Sequence, residues 1–594
     1  MRRAMVLALL WLVHCAGAFA EPLNLKPIQN ADWDADKVRH LASRAGFGAS
    51  HDEITALLKL GPKAAVDAFF TSRPPAELAQ FDHSGIFDAG LDPFPPSRPA
   101  TTRLAKQTGS ALGITVKPGG NRPLQPVVDK FFYWLRASRL ETDRVAYWWA
   151  NRMLRQPYPL AEKMALFWHG HFAANEDKVR DYRKMLKQLE LFQRAGLGSF
   201  RDLLIGVAQD PAMLVFLDAG VNTKDSPNEN FAREVMELFT MGVGNYSEAD
   251  VREAARAFTG WSVDDLSFYV DPQLHDGDSK QFLGSTGAFD GVDIIDLILQ
   301  QAVASEFVAA KIYRFFVSTE LSEAGAKQLG RLLRQKDYDV GDFLQVLLLS
   351  EDFYVNRGVR IKGPVELVVS TYKKLGLAQI PGVPDFNQAT QGVGQRLMHP
   401  PTVAGWSHGR SWITPSLLYE RGNFVLDVLF PDMSFVPPDR FPVFTPEVAK
   451  VQQRLRQGMS ITAATRPTAV QQGGMMAQSN ALADRDEDFN TRIGSMRGWQ
   501  MAIERVKPIL RAPARLRLSD EVLAAGLASP HDVVEHFHKQ YFSVELAPEV
   551  LQDLAQSLAA DLASEDIAAT HSYLEAPLRR LLHKMLSLPD YQLG

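Results

Sequence analysis

The chain has 594 residues, 46% of them hydrophobic and 22% charged, enough for more than one core and ordinary for a globular protein. A net charge of −5 excludes the overall basic footprint of a nucleic-acid binder. The only cysteine, Cys15, lies in the first twenty residues, so the rest of the chain offers no disulfide, thiol nucleophile or zinc–cysteine site.

The N-terminus begins with two arginines, follows them with an apolar run from Ala4 to Val13, and closes on Ala18-Phe19-Ala20. That three-part form reads as a secretory signal peptide over residues 1–20, cleaved after Ala20, and the run is too short to span a bilayer. The expectation is an exported protein, periplasmic or extracellular, with no transmembrane segment after cleavage.

Residues 21–72 read as helices. DKVRHLASRAGFG carries apolar residues at helical spacing and stops on glycine, and EITALLKLGPKAAVDAFF repeats the pattern across a Gly-Pro break. Residues 73–122 are proline-rich and aperiodic, a linker or extended wrap. The main helical body is expected over 123–430, its dense aromatics between Pro126 and Gln156 belonging to the core. The stretch 261–295, around WSVDDLSFYV, is the one place for a small β-hairpin. Residues 431–490 are low in complexity and expected to be partly disordered. A helical block over 491–594 packs on the main body. The fold class is therefore mainly α, a multi-helix orthogonal bundle.

Four stretches carry candidate chemistry. In FWHGHFAANEDK, His169 and His171 stand two apart, on opposite sides of a helix; they chelate together only if the helix ends between them and the following acids. In SPNENFAREVMELFTMGVGNYSEADV, Ser226 caps a helix, Pro227 takes its first position and Glu229 closes a capping box. Asn230, Glu234 and Glu237 share one face of that helix, Glu229 and Arg233 pair at i, i+4, and Ser247 with Asp250 starts the next helix. The loop DPQLHDGDSKQFLG places His275, Asp276 and Lys280 together. Finally, Trp406, His408, Arg410 and Trp412 form an aromatic loop suited to a binding wall. Walker, Gly-x-Ser-x-Gly and dinucleotide signatures are absent.

HLASRAGFG (40–48), FWHGHFA (167–173), NENFAREVMELFTMGVGNYSEADVREAARAFTGW (228–261), HDGDSKQFLG (275–284), RFFVS (314–318), KGPVELVVS (362–370) and PPTVAGWSHGRSWI (400–413) follow in this order. With these pieces the chain resembles an uncharacterised bacterial family, domain of unknown function 1800. The resemblance implies export, a mainly helical fold and a co-exported phosphatase- or sulfatase-like partner; it supplies no reaction and no catalytic residue.

Two functions of different class fit these residues. One is a metal-assisted hydrolase of an extracytoplasmic polymer or ester. In it His169, His171, His275 and Asp276 hold a divalent metal, Glu234 is a further ligand or the general base, and Arg233 and Lys280 bind an anionic group. The other is a binding or assembly scaffold for a protein or glycan, its polar motifs being buried networks that fix helix packing.

Overall fold

A computed structural model of the chain describes residues 22–87, 102–114, 125–431 and 495–594. The expected signal peptide and, beyond Pro431, the low-complexity stretch lie outside the described residues, as does much of the proline-rich run.

The helices begin and end where short-range chemistry says they should. Helix α1 (Ala35–Ala45) is capped by Asp34, which accepts from the Lys37 amide, and stops at Gly46. A Ser50–Glu53 capping box opens α2 (His51–Leu60), and Gly61 at φ +75 turns the chain into α3 (Pro62–Thr71), whose proline takes the first position. The 31-residue α4 (Gln125–Arg155) buries Tyr133, Trp134 and Trp149, as expected for core aromatics. The described part of the proline-rich run wraps along it: Trp148 and Arg152 donate to the Leu78 carbonyl, and the Tyr133 hydroxyl donates to Ile86.

Helix α5 (Leu160–His171) runs through both histidines of the His-Gly-His motif, with almost every side chain buried. It packs on α6 (Tyr182–Ala195) and α4. Asn228, not Ser226, caps α7 (Glu229–Met236); Ser226 instead closes a tight turn with Thr223, so the expected capping box does not form. The chain continues as a π-helical turn, Glu237–Met241, and stops at Gly242 with φ +77. The Ser247–Asp250 box opens α8 (Glu248–Ala257) as expected.

Two antiparallel hairpins, rather than one, fill the expected β region: β1 (Trp261–Asp264) with β2 (Ser267–Val270), and β3 (Lys280–Phe282) with β4 (Ser285–Gly287). Trp261 anchors the first, edge-on to Phe258 and Phe268 at 5.0 Å each. Helices α9 (Ala302–Phe316) and α10 (Glu323–Gln335) pack as a pair. Then come α11 (Pro364–Lys374) and α12 (Pro415–Leu429), and after the undescribed stretch α13 (Pro530–Tyr541), α14 (Pro548–Leu562) and α15 (Glu575–Leu586). The architecture is mainly α, and no described helix is long and apolar enough to cross a membrane.

One cluster of buried apolar side chains runs from Ile28 to Tyr591, joining the described N- and C-terminal segments to the body. The C-terminus is tied in by the Lys362 amide donating to Gln592 (2.8 Å) and by Arg421 donating to the Gln592 side chain (2.9 Å). The loop 395–413 is pressed against the end of α5 with no side chain between the backbones. A Cβ on Gly405, which sits at φ +79, would overlap the Gly170 carbonyl oxygen.

Gly405→Ala meets both the left-handed backbone and that overlap. It is expected to lower stability by about 1–3 kcal/mol or more in urea unfolding. Gly277→Ala, where the added methyl meets nothing within 4 Å, is the control and is expected to be near neutral. Equal stabilities would sink this account of the contact.

Candidate functional site

A cavity of about 300 Å³ opens where α5, α9, the start of α11 and the tryptophan loop meet. Leu166, Phe167, Gly170 and His171 line it from α5; Lys311, Arg314 and Phe315 from α9. Arg360, Gly363 and Glu366 form its floor, and Trp406, His408 and Trp412 its far wall. Trp406 and Trp412 are buried, while His408 is exposed and meets Trp412 edge-on at 5.1 Å.

Charge at the floor is organised by helix ends. Glu366 stands at the third position of α11 and accepts from the Gly363 amide (2.7 Å), a favourable place for an anion. Its carboxylate also meets Lys163 (2.5 Å), Arg360 (3.1 Å) and Arg44 (3.7 Å). Burial pushes this carboxyl up, but Arg360, Lys163 and Arg44 outweigh it and hold it well below the usual carboxylate range. Lys163 also donates to the Gly46 carbonyl at the end of α1 (2.8 Å), and Arg44 to the Phe315 and Phe316 carbonyls at the end of α9. Both cations thus sit at helix C-termini, where the dipole favours them. Burial pushes Lys163 down to about 7 even so.

The π-helical turn holds the other wall. The Leu238 carbonyl accepts from the Lys311 ammonium (2.9 Å), and the Phe239 carbonyl accepts from His171 Nε2 (3.0 Å). Lying just before the Gly242 stop, these carbonyls belong to a helix end and need such donors. His171 must therefore carry its proton on Nε2, and its Nδ1 accepts from Lys311 (3.2 Å). Burial first, then Lys311, depress His171 well below its ordinary value. Lys311 is pushed down to about 8 by burial and by Arg314. Arg314 itself is exposed at the rim and has no ion pair or hydrogen bond among the described residues.

The motifs that meet here lie far apart in sequence, and they are the ones on which the resemblance rested. Residues 40–593 match the family described as "Protein of unknown function (DUF1800)". The chain belongs to this family. No curated protein and no solved structure matches it.

Of the residues singled out for chemistry in this DUF1800 chain, His171, Trp406, His408 and Trp412 line the cavity, and the others do not. Helix α5 does end before the acids, at His171, but both histidines lie within it, so the two diverge. His169 accepts from the Met398 amide (3.0 Å) and packs between Trp149 and Trp406. Arg410 is exposed in the short turn Gly409–Trp412 and does not line the cavity. Arg233 is paired with Glu229 (3.0 Å) and Glu248 (2.7 Å). Glu234 is half-buried, its carboxyl pushed up by burial and by Glu237.

His275 binds the Thr259 carbonyl through Nδ1 (2.9 Å), Asp276 grips Arg256 (2.7 Å), and Lys280 donates to the Asp276 and Asp278 carbonyls. That loop is a self-satisfied brace for the second hairpin. His169, His171, His275 and Asp276 are not gathered as a ligand set: among the described residues the one group of three or more such side chains with ligand atoms all within 4.8 Å of one another is Glu176, Asp177 and His399. Arg139 already contacts both carboxylates there.

Sequence reading passed over Lys311, Arg314, Arg360, Glu366, Arg44 and Lys163. The available signal was charge inside apolar faces: Arg44 follows Leu41 and Ala42, and Lys163 stands between Leu160 and Met164, all buried.

Burial, then His399, push His169 from its ordinary 6.5 down to about 3. The folded state binds fewer protons than the unfolded one between those values, so this contribution is present above pH 6.5 and is lost as pH falls toward 3. His169→Gln keeps an acceptor for the Met398 amide and cannot titrate. Its stability should fall less steeply on acidification than the wild type's, by up to about 1.4 kcal/mol per pH unit. Parallel urea midpoints for the two proteins from pH 7 to pH 4 would refute this.

Proposed function

We propose that the protein acts outside the cytoplasm on a small anionic ligand, or on an anionic group of a larger one, received in the cavity between α5, α9 and the tryptophan loop. One observation carries this reading: among the described residues Arg314 has no ion pair or hydrogen bond, and it lines the same cavity as Lys311 and Arg360, where Glu366 is the only acidic lining residue described. Glu366 is already shared with Lys163 and Arg44. A carboxylate, sulfate or phosphate would complete the charge balance, and guanidinium groups suit all three. Phe167, Phe315, Trp406 and Trp412 supply apolar walls for the rest of the molecule. Export rests on the form of residues 1–20. A defined, charged cavity favours ligand capture over a helical scaffold. The co-exported phosphatase- or sulfatase-like partner remains a proposal drawn from the resemblance.

The test is calorimetric titration at pH 7 with sulfate, phosphate and glucuronate. Saturable binding of at least one is expected, weakened about tenfold, or about 1.4 kcal/mol, by Arg314→Gln and unchanged by Arg410→Gln. Absence of saturable binding, or equal loss in both variants, would overturn the reading.

A divalent metal, expected on His169, His171, His275 and Asp276, would instead find candidate ligands in Glu176, Asp177 and His399, where the buried His399 Nε2 has no partner among the described residues. Burial pushes the Glu176 carboxyl up to about 8 against the pull of Arg139, so a cation must displace both a proton and an arginine. Zinc uptake at this group should therefore strengthen from pH 6.5 to 8.5 and vanish in Glu176→Gln. Identical uptake by wild type and variant would remove the metal from this place.

A further inference from the structure

The surroundings of Lys311 are those of an aimed amine. Its Nζ has four tetrahedral directions. One is its own carbon, one points at the Leu238 carbonyl (2.9 Å), and one at His171 Nδ1 (3.2 Å). His171 cannot return a proton from that nitrogen, because its Nε2–H is held by the Phe239 carbonyl. A neutral Lys311 amine therefore has both hydrogens taken by acceptors, which leaves its lone pair uncommitted on a residue that lines the cavity.

We infer that Lys311 is a nucleophilic amine that forms an imine with the carbonyl group of an anionic ligand seated in this cavity. The inference rests on the anion reading above and adds a ligand class to it: a carbonyl compound bearing a carboxylate, sulfate or phosphate. The amine lone pair attacks the carbonyl carbon and a C–N bond forms. The carbonyl oxygen takes up two protons, both released by the nitrogen in the course of the reaction, and leaves as water. The product is a neutral C=N bond on Nζ, which gains a proton from solvent when it ionises.

The groups that face this nitrogen decide how much of it is neutral. Arg314 on its own helix repels the ammonium, while the Phe307 ring beneath it at 4.6 Å favours the charge. His171 from α5 stays neutral, and His408 of the tryptophan loop shares the cavity, as do Arg360 and Glu366 on the floor. The balance leaves Lys311 depressed to about 8, where an ordinary exposed lysine near 10.5 is almost wholly protonated.

Pyridoxal 5′-phosphate is a suitable probe, because it joins an aldehyde to a phosphate. The full chain is treated with it at pH 8, with and without excess inorganic phosphate, and reduced with borohydride. Borohydride delivers hydride to the imine carbon and fixes the adduct as a secondary amine, which is located by peptide mass mapping. Lys311 is expected to be modified at least tenfold faster than the exposed Lys63 and Lys539, and excess phosphate should suppress the Lys311 adduct alone. Labelling should rise several-fold from pH 6.5 to 8.5 and slow several-fold in Arg314→Gln. Mapping is done on wild type, so the result does not hang on whether Lys311→Arg folds; where it does fold, it should lose the adduct.

Saturable phosphate binding by calorimetry, with adducts on surface lysines and none on Lys311, would overturn the imine and leave the anion site standing. Labelling of Lys311 that phosphate does not suppress would overturn the claim that its ligand is anionic. Neither phosphate binding nor Lys311 labelling would overturn both.

Discussion

The Glu366 carboxylate is the point on which this architecture turns. It lies at the start of one helix and receives cations that close the ends of two others, Lys163 at Gly46 and Arg44 at Phe315 and Phe316. A carboxylate so deeply buried is costly unless its charge is answered, and a lone buried cation is costlier still. The cluster answers each with the other and with helix dipoles. It therefore fixes where α1, α5, α9 and α11 can sit, and the cavity is the space left above it.

The second constraint is backbone proximity. Gly170 lets the tryptophan loop approach α5 closely, and His169 then reaches the Met398 amide while Asn175 donates to Pro400. The His-Gly-His motif is thus a clamp as much as a wall: one histidine holds the loop, the glycine admits it, and the other histidine faces the cavity beside Lys311.

Local rules made much of this legible. Glycine stops, apolar and aromatic periodicity and the Ser247–Asp250 start placed α1, α2, α3, α4 and α8, and the region of the hairpins. The tryptophan loop is a wall through Trp406, His408 and Trp412, though Arg410 points elsewhere. The ligand set was not legible, because its imidazoles are committed to partners that no local window contains. His171 meets Phe239 and Lys311, 68 and 140 positions away, and His169 meets Met398 at 229. The cationic floor was missed for the opposite reason. Charged residues read one at a time look like solvent-facing positions, and only the fold reveals that Arg44, Lys163 and Glu366 turn inward together.

The reach of Arg44 to Phe316, across 272 positions, has a consequence for how the molecule assembles. Contacts separated so widely in sequence close late, after local helices have formed, because the entropy of looping the intervening chain must be met first. The cavity walls come from segments joined by such closures, so they meet only when those segments have docked. A ligand that fits this space recognises chains in which the segments bearing His171, Lys311, Glu366 and Trp406 have docked, and its binding draws the folding equilibrium toward that form.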